Sequence, residues 1–143
     1  MGIYLLILKL PEEKTILIGK RGKICFKKGF YLYIGSAQRG LWTRINRHLR
    51  KNKTLYWHID YLLKEAYIKE ILWAPLKKDM ECKIATSLSN DLIFIDHFGS
   101  SDCKCRSHLF YSKDLKILKD TLSKVIKELK INLKKIDLSS FST

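Results

Sequence analysis

Gly2-Ile3-Tyr4-Leu5-Leu6-Ile7-Leu8-Lys9-Leu10 and Gly29-Phe30-Tyr31-Leu32-Tyr33-Ile34-Gly35 are the two stretches on which the fold turns. The first is aliphatic and β-branched almost throughout, the pattern of a central strand. The second is an aromatic strand, entered at Gly29 and stopped by Gly35-Ser36. Between them, Pro11-Glu12-Glu13-Lys14 makes a turn and Thr15 to Gly19 reads as a strand. Arg21-Gly22-Lys23 turns again into Ile24-Cys25-Phe26. The expected arrangement of this first quarter of the chain is a small antiparallel meander.

Outward from there the period becomes helical. Leu41, Ile45, His48 and Leu49 share one side, while Arg44, Arg47, Arg50 and Lys51 form a basic stripe. Trp57 to Lys64 predicts a second helix, Ile68 to Trp73 a strand, Met80 to Leu88 a helix and Leu92 to Ile95 a strand. The Gly, Ser and Asp content of 98–105 predicts a loop. Leu115, Leu118, Leu122, Val125, Ile126 and Leu129 then fall on one face of an amphipathic helix. The expected packing of that helix is against its own domain, with a dimer seam as the alternative, and residues 132–143 read as a frayed tail. The fold class is α+β: a small mixed or antiparallel sheet flanked by helices, with a C-terminal amphipathic helix. No repeat and no linker divides it.

A chain of 143 residues with 46% hydrophobic residues, seven Gly and two Pro can close one core. The apolar run beginning at Ile3 is broken by Lys9 and Pro11, well short of the roughly 20 residues a membrane span requires. No signal-peptide pattern is present, so the expected compartment is the cytoplasm and no membrane partner is expected. Lys and Arg number 28 against 14 acids, a net charge of +14 spread along the chain. A folded domain so basic is biased toward a polyanion, because each phosphate contact releases a counterion. The four cysteines are Cys25, Cys82, Cys103 and Cys105, and without a sign of secretion disulfides are not expected.

Gly2-Ile3-Tyr4 and Tyr33-Ile34-Gly35 are also the two tripeptides that name the GIY-YIG nucleases, and Ser36-Ala37, Arg44 and His48 follow as in that family. The chain resembles its Uri-type endonuclease branch through Gly35-Ser36-Ala37, Arg47-His48-Leu49-Arg50, Trp57-His58-Ile59-Asp60-Tyr61-Leu62, Glu81-Cys82, Phe98-Gly99 and Ser107-His108-Leu109-Phe110. The resemblance spans 2–112 and leaves 113–131, the C-terminal helix, outside it.

What the resemblance implies is a phosphodiester hydrolase using one divalent ion, Mg²⁺ or Mn²⁺. Such a reaction needs an activated water, positive charge at the phosphoryl oxygens and help for the leaving group. Tyr33 corresponds to the proposed general base and Tyr4 orients the site beside it. A free phenol has a pKa near ~10, so Tyr33 needs cations nearby. Arg44 is the family's helix arginine, suited to bidentate phosphate binding. His48, one helical turn on, would assist proton transfer or hold phosphate. Glu81 at the start of a helix is the expected metal ligand, a hard carboxylate suited to Mg²⁺, with Asp60 as the fallback. Arg39, Arg47, Arg50 and Lys51 are expected on nucleic-acid backbone, and His58, Asp60, Asp102 and His108 as polar support.

Cys82, Cys103, Cys105 and His108 could instead hold zinc, although Cys-x-Cys lacks the usual two-residue knuckle spacing. The functional expectation is a metal-dependent DNA endonuclease, directed by structure or damage and serving repair or processing, as a monomer or homodimer. The alternatives are a non-catalytic nucleic-acid-binding module or repair-partner domain on the same scaffold, and a zinc-stabilised interaction protein. DNA is the expected substrate rather than RNA, with a DNA-repair protein as a further partner.

Overall fold

The computed structural model describes residues 2–100 and 105–140. In chain order the elements are β1 (Gly2–Leu10), β2 (Lys14–Leu17), β3 (Lys23–Phe26), β4 (Gly29–Ala37), α1 (Leu41–Leu49), α2 (His58–Leu62) and β5 (Tyr67–Ala74). They continue with α3 (Asp79–Ser89), β6 (Ile93–Phe94), β7 (Leu109–Ser112), α4 (Leu115–Leu129) and β8 (Lys134–Ile136). Six strands form one sheet in the order β6-β7-β4-β1-β5-β8, and every neighbouring pair is antiparallel.

Strand β1 lies inside this sheet and is buried on both faces. Because side chains alternate across a strand, Tyr4, Leu6, Leu8 and Leu10 enter one core with Phe26, Ile45, Ile59 and Leu62. Ile3, Leu5 and Ile7 enter another with Ile84, Leu88, Leu118, Leu122 and Val125. Helices α1 and α2 and the β2–β3 hairpin thus cover one face, and α3 and α4 the other. A strand covered twice has no face left for polar residues, which is why β1 reads as an unbroken apolar run.

Two expectations are corrected. The meander does not form: β4 pairs with β1 along its full length, from Gly2 opposite Ala37 to Leu10 opposite Gly29, while among the described residues β2 and β3 pair only with each other. Their side chains are mostly exposed, so they lack the two-sided apolar pattern an inner strand needs. The residues read as a frayed tail also contain structure. Lys134–Ile136 pairs with β5, Ile136 is buried, and Lys135 reaches Glu70 at 3.5 Å. Residues 141–143 lie outside the described residues.

Helix α4 begins where its apolar period begins, at Leu115, with the Asp114 carboxylate accepting from the Lys116 amide at 2.8 Å as an N-cap. It packs on its own domain through Leu118, Leu122 and Val125. Among the described residues, no helix is long and apolar enough to cross a membrane.

Candidate active site

The antiparallel register puts Tyr4 opposite Gly35 and Tyr33 opposite Leu6, so the two tyrosines are two pair positions apart on adjacent strands and on the same face. The Tyr4 ring lies across Gly35. A Cβ at that position would come within 2.3 Å of the Tyr4 hydroxyl, so only glycine leaves room for the ring. Behind Tyr4, its hydroxyl lies 2.7 Å from His48 Nε2 on the buried side of α1. Tyr4, Tyr33, Gly35 and Ser36 form one wall of a cleft of about 520 Å³, and Arg44, Trp57, His58, Lys78, Glu81, Gly99 and the exposed Tyr56 complete it.

Helix α1 places Arg44 one turn from His48. Arg44 Nη1 donates to the Ser36 carbonyl at 3.1 Å, and the guanidinium stacks 4.3 Å from the Trp57 ring. The cation is therefore held at the cleft wall before any ligand arrives. Burial pulls the His48 imidazole down to about 3, with Lys53, Arg44 and Arg47 pushing the same way and Asp60 opposing. His48 is neutral at physiological pH, and its buried Nδ1 has no hydrogen-bond partner among the described residues. Lys53 sits at the end of α1, donating to the carbonyls of Arg47, His48 and Arg50 at 3.3, 2.9 and 2.8 Å. Burial, aided by neighbouring cations, brings its ammonium down to about 8.

Burial raises both cleft tyrosines well above the usual phenol range. Arg44 pulls each back, while Glu81 adds to the rise, so both are phenols at rest. Glu81, in the first turn of α3, is 7% exposed and belongs to the layer on the other face of the sheet, yet its carboxylate reaches the cleft. On the opposite side, His58 Nδ1 accepts from the Gly99 amide at 3.0 Å, which leaves Nε2 as the protonated nitrogen. Burial and the Arg21 cation lower its pKa. The expected set Tyr4, Tyr33, Arg44 and Glu81 thus meets in one place, with His48 behind it.

A family model described as a domain of unknown function, DUF123, matches residues 3–131. The chain belongs to the DUF123 family. This family is GIY-YIG-like, in keeping with the two tripeptides on β1 and β4. The DUF123 match runs on through α4. No curated protein and no solved structure matches the chain.

Two expected residues, Arg47 as a phosphate contact and Asp60 as a fallback metal ligand, take other positions in this DUF123 domain. Arg47 turns inward, giving Asp60 two parallel bonds of 2.8 and 2.9 Å and donating to the Thr54 carbonyl at 2.8 Å. It is engaged in the fold and not presented to solvent as a free phosphate contact. Asp60 is fully buried and accepts from the Tyr56 and Trp57 amides, both at 2.8 Å, capping α2. Burial raises its pKa, but the Arg47 pair and the two amides outweigh that and hold it low. Asp60 is therefore a capping anion and does not line the cleft, which removes it as the fallback metal ligand. His108 is buried, with Nδ1 3.9 Å from Glu81 Oε2. Arg39, Arg50 and Lys51 are exposed as expected.

Sequence reasoning missed Trp57, Tyr56 and Lys78. Trp57, read as the start of a helix, stands between Arg44 and Arg47, 4.3 and 4.5 Å from the two guanidinium carbons. Lys78 was signalled by the basic pair Lys77-Lys78 three residues before Glu81. Tyr56 had no signal beyond being aromatic beside Trp57.

The cysteines depart from the expectation of free thiols. Cys82 on α3 and Cys105 before β7 are joined as a disulfide, with Cα atoms 5.8 Å apart, and Cys25 is free and exposed. Asp102 and Cys103, expected as polar support and as a zinc ligand, lie outside the described residues.

Proposed function

We propose that this protein is a Uri-type GIY-YIG endonuclease, a phosphodiester hydrolase acting on structured or damaged DNA in repair or processing. The observation that carries the reading is the convergence of Tyr4, Tyr33, Arg44 and Glu81, from four separate elements, on one cleft. Arg44 is fixed by Ser36 and Trp57 and binds the scissile phosphate. Lys78 at the rim adds a second positive charge. Tyr33, a phenol at rest, orients the attacking water; to serve as its general base it would first have to release its own proton, which Arg44 and a bound divalent ion would favour by stabilising the phenolate.

The donor set suits Mg²⁺ or Mn²⁺. Glu81 is the one carboxylate lining the cleft among the described residues, it stands near two phenolic oxygens, and no sulfur shares that lining. Glu81 would hold the ion, which supplies charge neutralisation at the phosphoryl oxygens. Two aromatic residues support an unpaired or extruded substrate: Tyr56 is 77% exposed at the cleft and Trp57 stands next to it. A base lifted out of its stack can lie on such a ring, worth roughly 1–3 kcal/mol per base.

The deciding experiment incubates the protein with duplex, single-stranded, flapped and abasic DNA and with RNA, with and without Mg²⁺ or Mn²⁺. Metal-dependent cutting of an unpaired or damaged DNA is the expected result. Binding without cutting under every condition would replace the enzyme with a nucleic-acid-binding module on the same scaffold.

A further inference from the structure

Cys82, Cys105 and His108 each bring one ligand atom into a group whose members all lie within 4.8 Å of one another. Cys82 belongs to α3, next to Glu81, while Cys105 and His108 precede β7 on the far side of a connection that leaves the helix. We propose that, with its thiols reduced, this cluster is a binding site for one soft divalent ion of the zinc class, tying α3 to the segment entering β7.

Three observations carry the proposal. A disulfide needs two sulfurs and no third donor, yet His108, 2% exposed, brings a ring nitrogen to the same point. The spacing also suits a metal. A tetrahedral zinc with bonds of ~2.3 Å to sulfur and ~2.0 Å to nitrogen sets its ligands roughly 3.5–3.8 Å apart, so the two sulfurs, bonded to each other here, must separate on reduction, while His108 already lies within 4.8 Å of both. Finally, two sulfurs and an imidazole form a soft donor set that selects zinc over Mg²⁺, whereas the cleft nearby offers hard oxygens. The two metal chemistries are thus sorted onto neighbouring residues, Glu81 and Cys82.

Disulfide and metal site use the same sulfurs and exclude each other. A thiol reductant supplies two electrons and two protons, breaking the S–S bond to give two thiols. The incoming ion then displaces those two protons as it binds two thiolates and the neutral imidazole. The linkage between α3 and the β7 segment survives in either state, and the site stands whether or not the cleft cuts DNA.

The test is metal content, with no reference to cleavage. The protein is reduced with a phosphine, freed of reductant under inert gas, and titrated with Zn²⁺ and separately with Co²⁺. About one equivalent of zinc and a thiolate-to-cobalt absorption are expected from reduced protein, and neither from the oxidised form. Cys82→Ser and His108→Asn should each weaken binding roughly tenfold or more, while Cys25→Ser leaves it unchanged. Should a variant fail to fold, the reduced and oxidised wild type still give the comparison. Reduced, folded wild type that takes up no zinc or cobalt would overturn the proposal. So would uptake that Cys82→Ser and His108→Asn do not diminish.

Discussion

Glu81 and Tyr33 stand in one cleft for different reasons, and their substitution should have different consequences. Glu81→Gln keeps the side chain's size and removes only the charge, so folding and much of the DNA affinity should survive while metal-dependent cleavage disappears. Tyr33→Phe keeps the ring and loses the hydroxyl, and a general-base role predicts a loss of roughly 10² or more in turnover. Single-turnover cleavage beside a DNA-binding titration checks both. A fully active Glu81→Gln enzyme would sink the metal assignment. Tyr33 was legible in the sequence because its tripeptide fixes its place on a strand, and Glu81 because it stands at the start of a predicted helix. Tyr56 was not, because it comes from a connection without periodicity, and Trp57 and Lys78, at the N-caps of α2 and α3, join the cleft only when the chain folds. Arg47 shows the opposite failure. Its place in a basic helical stripe says nothing about a buried carboxylate 13 residues on.

That carboxylate makes Arg47–Asp60 a property of elements, since the pair ties α1 to the cap of α2. Removing one partner leaves a buried charge uncompensated, which costs about 3–5 kcal/mol. Arg47→Ala should therefore lower the denaturation midpoint sharply, and Asp60→Asn should do the same by removing the α2 cap charge. Urea unfolding at neutral pH measures both, and a midpoint unchanged by Arg47→Ala would return Arg47 to the free basic surface. The elements themselves were readable in proportion to their length. Helix α4 has its predicted ends because four turns of apolar period announce it. Strand β8 is three residues with two lysines, too short to carry an alternation, and only its pairing with β5 defines it.

At the scale of the whole molecule the charge of +14 sets the expected binding law. Affinity for DNA should fall steeply and log-linearly with salt. Arg50→Ala, on an exposed residue, should weaken binding to all sequences alike and reduce the slope by about 1. A filter or anisotropy titration over a salt series reads this, and a flat dependence would count against any nucleic-acid partner. Stability should also depend on acidity. His48 titrates near about 3 in the fold against 6.5 in the unfolded chain. Between those values the unfolded state binds a proton that the native state does not. The stabilising contribution is thus complete above 6.5 and is lost as pH falls toward 3. The low-lying carboxyls of Asp60 and Glu70 add to the loss at the acid end. Wild type should lose more stability than His48→Asn between pH 7 and 5, and equal losses would show that His48 does not carry this dependence.

The ring of Tyr4 resting on Gly35 means that the two tripeptides cannot diverge independently. Any side chain at position 35 meets the Tyr4 phenol at 2.3 Å, so its effect depends on what occupies position 4. Gly35→Ala should be severely destabilising beside Tyr4 and far milder in a Tyr4→Ala background, a strong positive epistasis visible in a double-mutant cycle as a coupling of roughly 0.5–3 kcal/mol. A substitution at one position opens the other to change, so across descendants of this sequence the two sites should drift together or stay fixed together.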